Sequence, residues 1–294
     1  MKCFASFGMA NDHPSIVFDT SSSSFVFILT SIYFLIELIG GLYYNSLALI
    51  TDSAFMAIGL VGQLSAIYAK RLSRRPPDKN KTFGYERVKV LSSLSNGILV
   101  GFLLFYVLTN AYRRISNPEP LDTDKVFVVS VVGLLVNVYG AFRLYQLSKD
   151  ISLRGAFLIV LNDALSSVGV IVSTLIIKFT GLYVVDAIAS IVIVLLVAYP
   201  TYFLMRDSIN ILMEGIPSGI DIEKVEKFIY ENFDHAKRVK DLHIWALVPE
   251  KTIMTVKIRT EGKVYDREKI KSLKELLQEK FRLYDVFVEV YEED

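Results

Sequence analysis

Six runs of about 20 apolar residues, separated by short polar loops, constrain this chain more than any other feature. A helix of about that length crosses the roughly 30 Å hydrocarbon core of a bilayer. The spans are read at 25–43, 46–69, 88–112, 126–147, 158–178 and 183–205. Beyond Arg206 the texture changes: charges become dense and no further run of that length follows. Composition agrees, with 52% of the 294 residues hydrophobic and a mean hydropathy of +0.42. The reading is a short segment 1–24, a six-helix membrane domain 25–206, and a C-terminal domain 207–294. Segment 1–24 lacks a continuous apolar stretch, so no cleaved signal peptide is read there.

Basic residues in short loops set the orientation. The 70–89 loop holds Lys70, Arg71, Arg74, Arg75, Lys79, Lys81, Arg87 and Lys89 against Asp78 and Glu86. Lys149 and Arg154 mark the loop before the fifth span, while the loop between the first two spans carries no charge. This alternation places both termini in the cytoplasm. A net charge of +1 gives no general pull toward nucleic acid. One cysteine, Cys3, excludes an internal disulfide and any multi-cysteine metal site. No Gly-rich phosphate loop and no nucleophile–base pair is present, so neither an enzyme nor an ATP-driven pump is read.

The tail alternates in period. Residues 221–233 have helical spacing with an acidic start suited to the helix dipole. Residues 239–248 and 252–260 alternate and are rich in β-branched side chains. An amphipathic helix at 266–281 and a last strand at 286–291 complete an α+β, ferredoxin-like layer of two helices on one sheet face.

Polar residues inside the spans carry the functional signal. A charged side chain at the bilayer centre costs roughly 2.5–3.5 kcal/mol on insertion scales. Asp163 sits well inside the fifth span beside Asn162, on a face shared with Ile159, Ser166 and Ser167. It is the first candidate for holding a cation or a proton. Asp52 and Gln63 lie three turns apart on one face of the second span. Glu37, Asn96, Asn110 and Asn137 read as hydrogen-bonding glue between helices. Asp186 reads as a helix-start charge near an interface. His13, His235 and His243 lie outside the spans, so the donors within the membrane are oxygens, which suit a hard cation such as Mg²⁺ or Mn²⁺.

Five segments resemble the cation diffusion facilitators: NSLALITDSAF at 45–55, RRPPDKNKTFGYERVKVLSSLSNG at 74–97, NDALSSVGVIVSTLII at 162–177, VDAIASIVI at 185–193 and KDLHIWAL at 240–247. The resemblance runs from about Phe25 to the C-terminus. It implies six spans, a cytoplasmic dimerisation domain, and export of divalent cations by proton antiport, with no permanently bound cofactor. The family's four transport ligands align with Phe55 and Gly59 on the second span and with Ile159 and Asp163 on the fifth, so three of the four are missing here. One acid cannot form a closed four-ligand zinc site. In the loop Asp78 remains, but histidine positions carry Lys81 and Tyr85. In the tail Asp241 and His243 remain, while Lys240, Lys257 and Glu289 replace frequent histidines.

Three readings follow. The chain moves divalent cations (Mn, Zn, Fe or Mg) through a rearranged site of Asp163, Asn162 and Asp52, with Asp163 also coupling protons. Or it is a non-transporting partner of an intact transporter. Or it binds an organic cation at Asp163. The expected partners are the lipid bilayer and a second copy through the C-terminal domain, or an intact family member in a heterodimer.

Overall fold

The computed structural model describes residues 21–146, 151–233, 236–260 and 267–291. Side chains at 21–24, 144, 146 and 151–159 are outside that description, as are the sequence candidates Cys3, His13, Lys149 and His235 and the side chains of Arg154 and Ile159. Among the described residues six helices are long and apolar enough to cross a membrane. They are α1 (Ser21–Tyr43), α2 (Leu47–Ser73), α3 (Val88–Ser116), α4 (Thr123–Gln146), α5 (Ile151–Thr180) and α6 (Val184–Leu212). Most run past the apolar windows read from sequence, because a helix continues into the polar interface until its backbone finds other partners.

The chain divides into two compact units. One holds the membrane helices up to Tyr68 and from Ser92 to Leu204. Within it α4 packs against both α1 and α5. Glycines allow the closest approaches. A side chain at Gly41 would meet the backbone of Ile50 at 2.9 Å, so the α1–α2 corner needs glycine there. Gly133 lets Tyr33 of α1 lie flat on α4, where its hydroxyl donates to the Val129 carbonyl at 2.6 Å. An apolar cluster of Leu49 and Phe55 from α2, Val100, Leu103 and Val107 from α3, Val170 from α5, and Ile193 and Val194 from α6 joins the helices. Pro200 stands inside α6, tolerated as prolines in membrane helices are.

The second unit holds 69–91 and the chain from Met205 onward. Its tail follows the expected order: α7 (Ile222–Asn232), β1 (Ala236–Val248), β2 (Lys251–Thr260), α8 (Arg267–Phe281) and β3 (Asp285–Tyr291). Asp221 caps α7 by accepting from Glu223 N at 3.1 Å. β1 and β2 form an antiparallel hairpin, and β3 joins β2 in parallel after α8. Val225 and Ile229 of α7 and Leu273 and Leu277 of α8 bury against Ile244, Met254, Val256 and Ile258 of the sheet. Each such side chain contributes about 1.5–3 kcal/mol of transfer free energy. The loop is tied into this unit by Glu86–Lys251 at 2.6 Å and Arg87–Glu214 at 2.9 Å.

Candidate functional site: a carboxyl cluster within the membrane helices

The acids expected to act are brought together across helices. Asp52 of α2 is fully buried and Asp163 of α5 is 8% exposed. Between them stand Ser166 and Ser167, at i+3 and i+4 from Asp163 and therefore on its face of the helix. Ser166 Oγ donates to Asp52 Oδ1, and Ser167 Oγ donates to Asp52 Oδ2 at 3.0 Å. The same hydroxyls reach the backbone carbonyl of Asp163 at 2.9 and 3.0 Å. Asn137 of α4 donates to Ser167 Oγ at 3.4 Å. Asp52 is thus clamped from α5 through both oxygens, which makes it buried structure rather than an interfacial charge.

Glu37 of α1 differs from the expected helix-to-helix hydrogen bond. It is fully buried, and among the described residues neither of its carboxyl oxygens has a hydrogen-bond partner other than the Asp52 carboxyl. Its carboxyl lies beside that of Asp52, and Asp163 is the next acid in its field. Two carboxyls this close can share one proton, so Asp52 is the hydrogen-bonding neighbour of Glu37, and no hydroxyl, amide or basic side chain among the described residues reaches either Glu37 oxygen. Sequence reasoning gave Glu37, Ser166 and Ser167 no functional part. The signal for Glu37 was present in α1: among its described side chains Val26, Tyr33, Glu37, Gly40 and Gly41 are the buried positions, a helical stripe that carries Glu37 inward.

The other sequence candidates fall as follows. Asn162 is exposed, off the buried face that carries Asp163. Phe55, expected from the sequence to stand at a family ligand position, is buried in the apolar cluster. Gly59, the other position expected on α2, has open space where a side chain would begin. Gln63 is half-buried. Asn110 hydrogen-bonds the Tyr106 carbonyl of its own helix at 2.8 Å and joins no neighbour. Asn96 Oδ1 is buried without a partner, packed where Gly62 of α2 has no side chain. Among the described residues no three His, Cys, Asp or Glu side chains converge closely enough to hold a metal ion in this conformation.

Asp186 is more than a helix-start charge. It is buried and accepts from Ser46 Oγ at 2.7 Å and Leu47 N at 2.6 Å, so it caps the start of α2 from the start of α6. Arg114 at the end of α3 lies 3.6 Å from Asp186 and donates to the Asn45 carbonyl at 2.6 Å. Asn45 adopts a left-handed φ of 59° there, a conformation Asn tolerates. The knot fixes the start of α2 at Leu47, five residues before Asp52.

Outside the membrane helices Asp78, Asp241 and Glu289 have partners within the protein. Asp78 accepts from Tyr85 Oη at 2.6 Å and from the backbone of Asn80 and Lys81 at 2.8 Å each. The Tyr85 hydroxyl first, then these amides, hold its carboxyl below the usual carboxylate range. In the tail Lys257 lies 3.0 Å from Asp241 and 4.0 Å from Glu289, lining a pocket with His243, Thr255 and Phe287. The Lys257 hydrogen bond and charge depress Asp241, and Asp241 in turn raises Lys257. Lys240 stands 6.0 Å from the centre of the Tyr291 ring.

Two family profiles divide the chain in the same places as its architecture. The cation efflux transmembrane domain matches residues 24–213, and the cytoplasmic domain of cation efflux proteins matches 217–292. The chain belongs to the cation efflux family. It is a multi-pass membrane protein of a transporter family and not an enzyme. Among its relatives, the cation efflux system protein CzcD of an Alcaligenes species is 36% identical over 96% of this chain and 89% of the relative. A cadmium, cobalt and zinc/H(+)-K(+) antiporter of Bacillus subtilis is 36% identical over 75% of this chain and 72% of the relative. Zinc transporter ZitB of Escherichia coli is 34% identical over 80% of this chain and 75% of the relative.

Proposed function

We propose that this family member exports divalent cations from the cytoplasm in exchange for protons, through a site reduced to Asp163 and Asp52. The observation that carries the reading is the cross-helix clamp: Ser166 and Ser167 hold Asp52 against the turn of α5 that begins at Asp163. Two acids kept out of water without a basic partner between them create a demand for positive charge, which a passing cation or a proton meets. Asp163 is the residue we assign to bind the ion and to take the proton on the return step. Asn162 is left out of the site because it is exposed.

The named activities of the relatives point to zinc, cadmium or cobalt as cargo, one of them exchanged for protons and potassium. The oxygen-only donor set here shifts the preference toward harder ions such as Mn²⁺. The basic 70–89 loop supports a cytoplasmic location for both termini. The tail, matched by the family's cytoplasmic domain, is the surface we assign to pairing with a second copy.

A second reading, a non-transporting partner of an intact family member, is favoured by one observation. Phe55 fills the position of an aligned ligand with apolar packing. Calorimetry of the purified chain with Mn²⁺, Zn²⁺ and Mg²⁺ separates the two. Export predicts saturable binding that disappears in Asp163→Ala; absence of binding for all three ions favours the partner.

A further inference from the structure

We propose that Glu37 of α1 is a third cation-binding carboxyl of this site, supplying donor oxygens that the α2 and α5 positions no longer provide. The inference rests on the reading of Asp52 and Asp163 as an ion site.

Three observations lead to it. Glu37 is fully buried, and among the described residues its oxygens have no partner other than the Asp52 carboxyl beside them. A buried carboxyl is normally given donors, because leaving it bare costs more than most single contacts contribute. The same membrane unit shows what a structural acid looks like: Asp186, equally buried, accepts from a hydroxyl and from the α2 backbone with Arg114 alongside. Glu37 has none of these and faces another acid instead.

The second observation concerns which oxygens are free for a cation. Both Asp52 oxygens are already engaged by Ser166 and Ser167. The serines reach Asp163 at its backbone carbonyl. Glu37 therefore offers oxygens that no hydroxyl, amide or basic group holds, on a side chain with three rotatable bonds, next to a tethered acid. Among the described residues no three acids converge on one point in this conformation. Closing on an ion costs Glu37 only its contact with the Asp52 carboxyl, which the same ion would replace.

The third observation is the chemistry of replacement. Phe55 contributes an apolar ring and Gly59 no side chain at the two aligned α2 positions. A carboxyl from α1 restores an oxygen donor beside Asp52. The resulting set contains carboxylates and serine hydroxyls only, which selects a hard divalent cation of the Mn²⁺ or Mg²⁺ class over a thiophilic one such as Cd²⁺.

The test uses the full-length protein in detergent, with calorimetry against MnCl₂ and ZnCl₂ and thermal unfolding without metal. Glu37→Gln keeps the shape and adds hydrogen-bonding capacity. It is expected to weaken Mn²⁺ binding by about 10- to 100-fold or more, while the metal-free unfolding temperature stays level or rises. A structural role would do the reverse, lowering metal-free stability and leaving affinity unchanged, and that result overturns the proposal. If Glu37→Gln does not fold, Glu37→Asp decides: it keeps the charge and withdraws it by one methylene, so unchanged affinity overturns the proposal and weakened affinity in a folded protein supports it. Two further patterns separate the failures. No Mn²⁺ or Zn²⁺ binding by the native chain overturns the ion-site reading and this inference with it. Native binding that is lost in Asp163→Ala but kept in Glu37→Gln overturns this inference alone.

Discussion

The carboxyl cluster between the membrane helices and the one on the tail sheet solve the same electrostatic problem in opposite ways. On the sheet, Asp241 and Glu289 sit on either side of Lys257, an ammonium built into β2. The positive charge is covalently part of the protein, so no ion is required. Between the helices, Glu37, Asp52 and Asp163 are buried, and the groups holding Asp52 are neutral hydroxyls. Hydroxyls satisfy lone pairs without cancelling charge. The difference teaches that the sign of the donors matters as well as their number: an ammonium cancels the charge of the acids on the sheet, whereas hydroxyls leave that of a buried acid in place.

The comparison breaks most readily at the serines. The double variant Ser166→Ala/Ser167→Ala strips both donors from Asp52 and should lower stability by about 3–5 kcal/mol, read as thermal unfolding in detergent. An unchanged unfolding temperature would mean that the hydroxyls do not hold the acid. Next comes Asp186, the finished acid of the same unit. Asp186→Ala orphans the Leu47 amide and leaves Arg114 paired with Glu119 alone among the described acids, at 3.7 Å, at an expected cost of about 1–3 kcal/mol. Calorimetry on the same variant should show weaker Mn²⁺ binding, because the start of α2 sets the position of Asp52.

Lys257→His sharpens the comparison from the other side. It removes the built-in cation and places an imidazole beside His243, Asp241 and Glu289. In an Asp163→Ala background the native tail should give no Zn²⁺ heat, whereas this variant should show saturable binding. If both behave alike, Lys257 is not what closes the tail to metal.

The smallest effect is on pH. Asp78 and Asp241 have carboxyls held below their ordinary range by Tyr85 and Lys257 respectively. Their contribution is complete above the unfolded carboxylate value of about 3.9 and is lost as the pH falls through the lower, folded one. Thermal unfolding of the second unit should therefore be insensitive to these groups from pH 5 to 8 and fall below pH 4. Lys257→Ala should make that acid fall shallower. Both groups are exposed, so the change is slight.

The order of elements was legible because it rests on local rules. Apolar runs of bilayer length fix the six helices, and the switch from a period of 3.6 to a period of 2 fixes the tail. Those rules need only neighbours in sequence, and the tail elements fall within a few residues of their expected bounds. Asp163 was also legible, since an acid in an apolar run is costly wherever the helix packs.

What the sequence by itself determined, then, is that six spans precede an α+β tail and that Asp163 stands among apolar neighbours. Which face each helix turns inward was decided only in three dimensions, because it depends on residues from other helices. Asp52 and Ser166 are 114 positions apart and Ser46 and Asp186 are 140 apart, yet each pair shares a hydrogen bond. Asn162 and Asp163 are adjacent, yet one is exposed and the other buried, since consecutive residues on a helix point about 100° apart. Glu37 carries the same lesson: its sequence neighbourhood suggests glue, and only the packing sets it beside another acid rather than beside a hydroxyl or an amide.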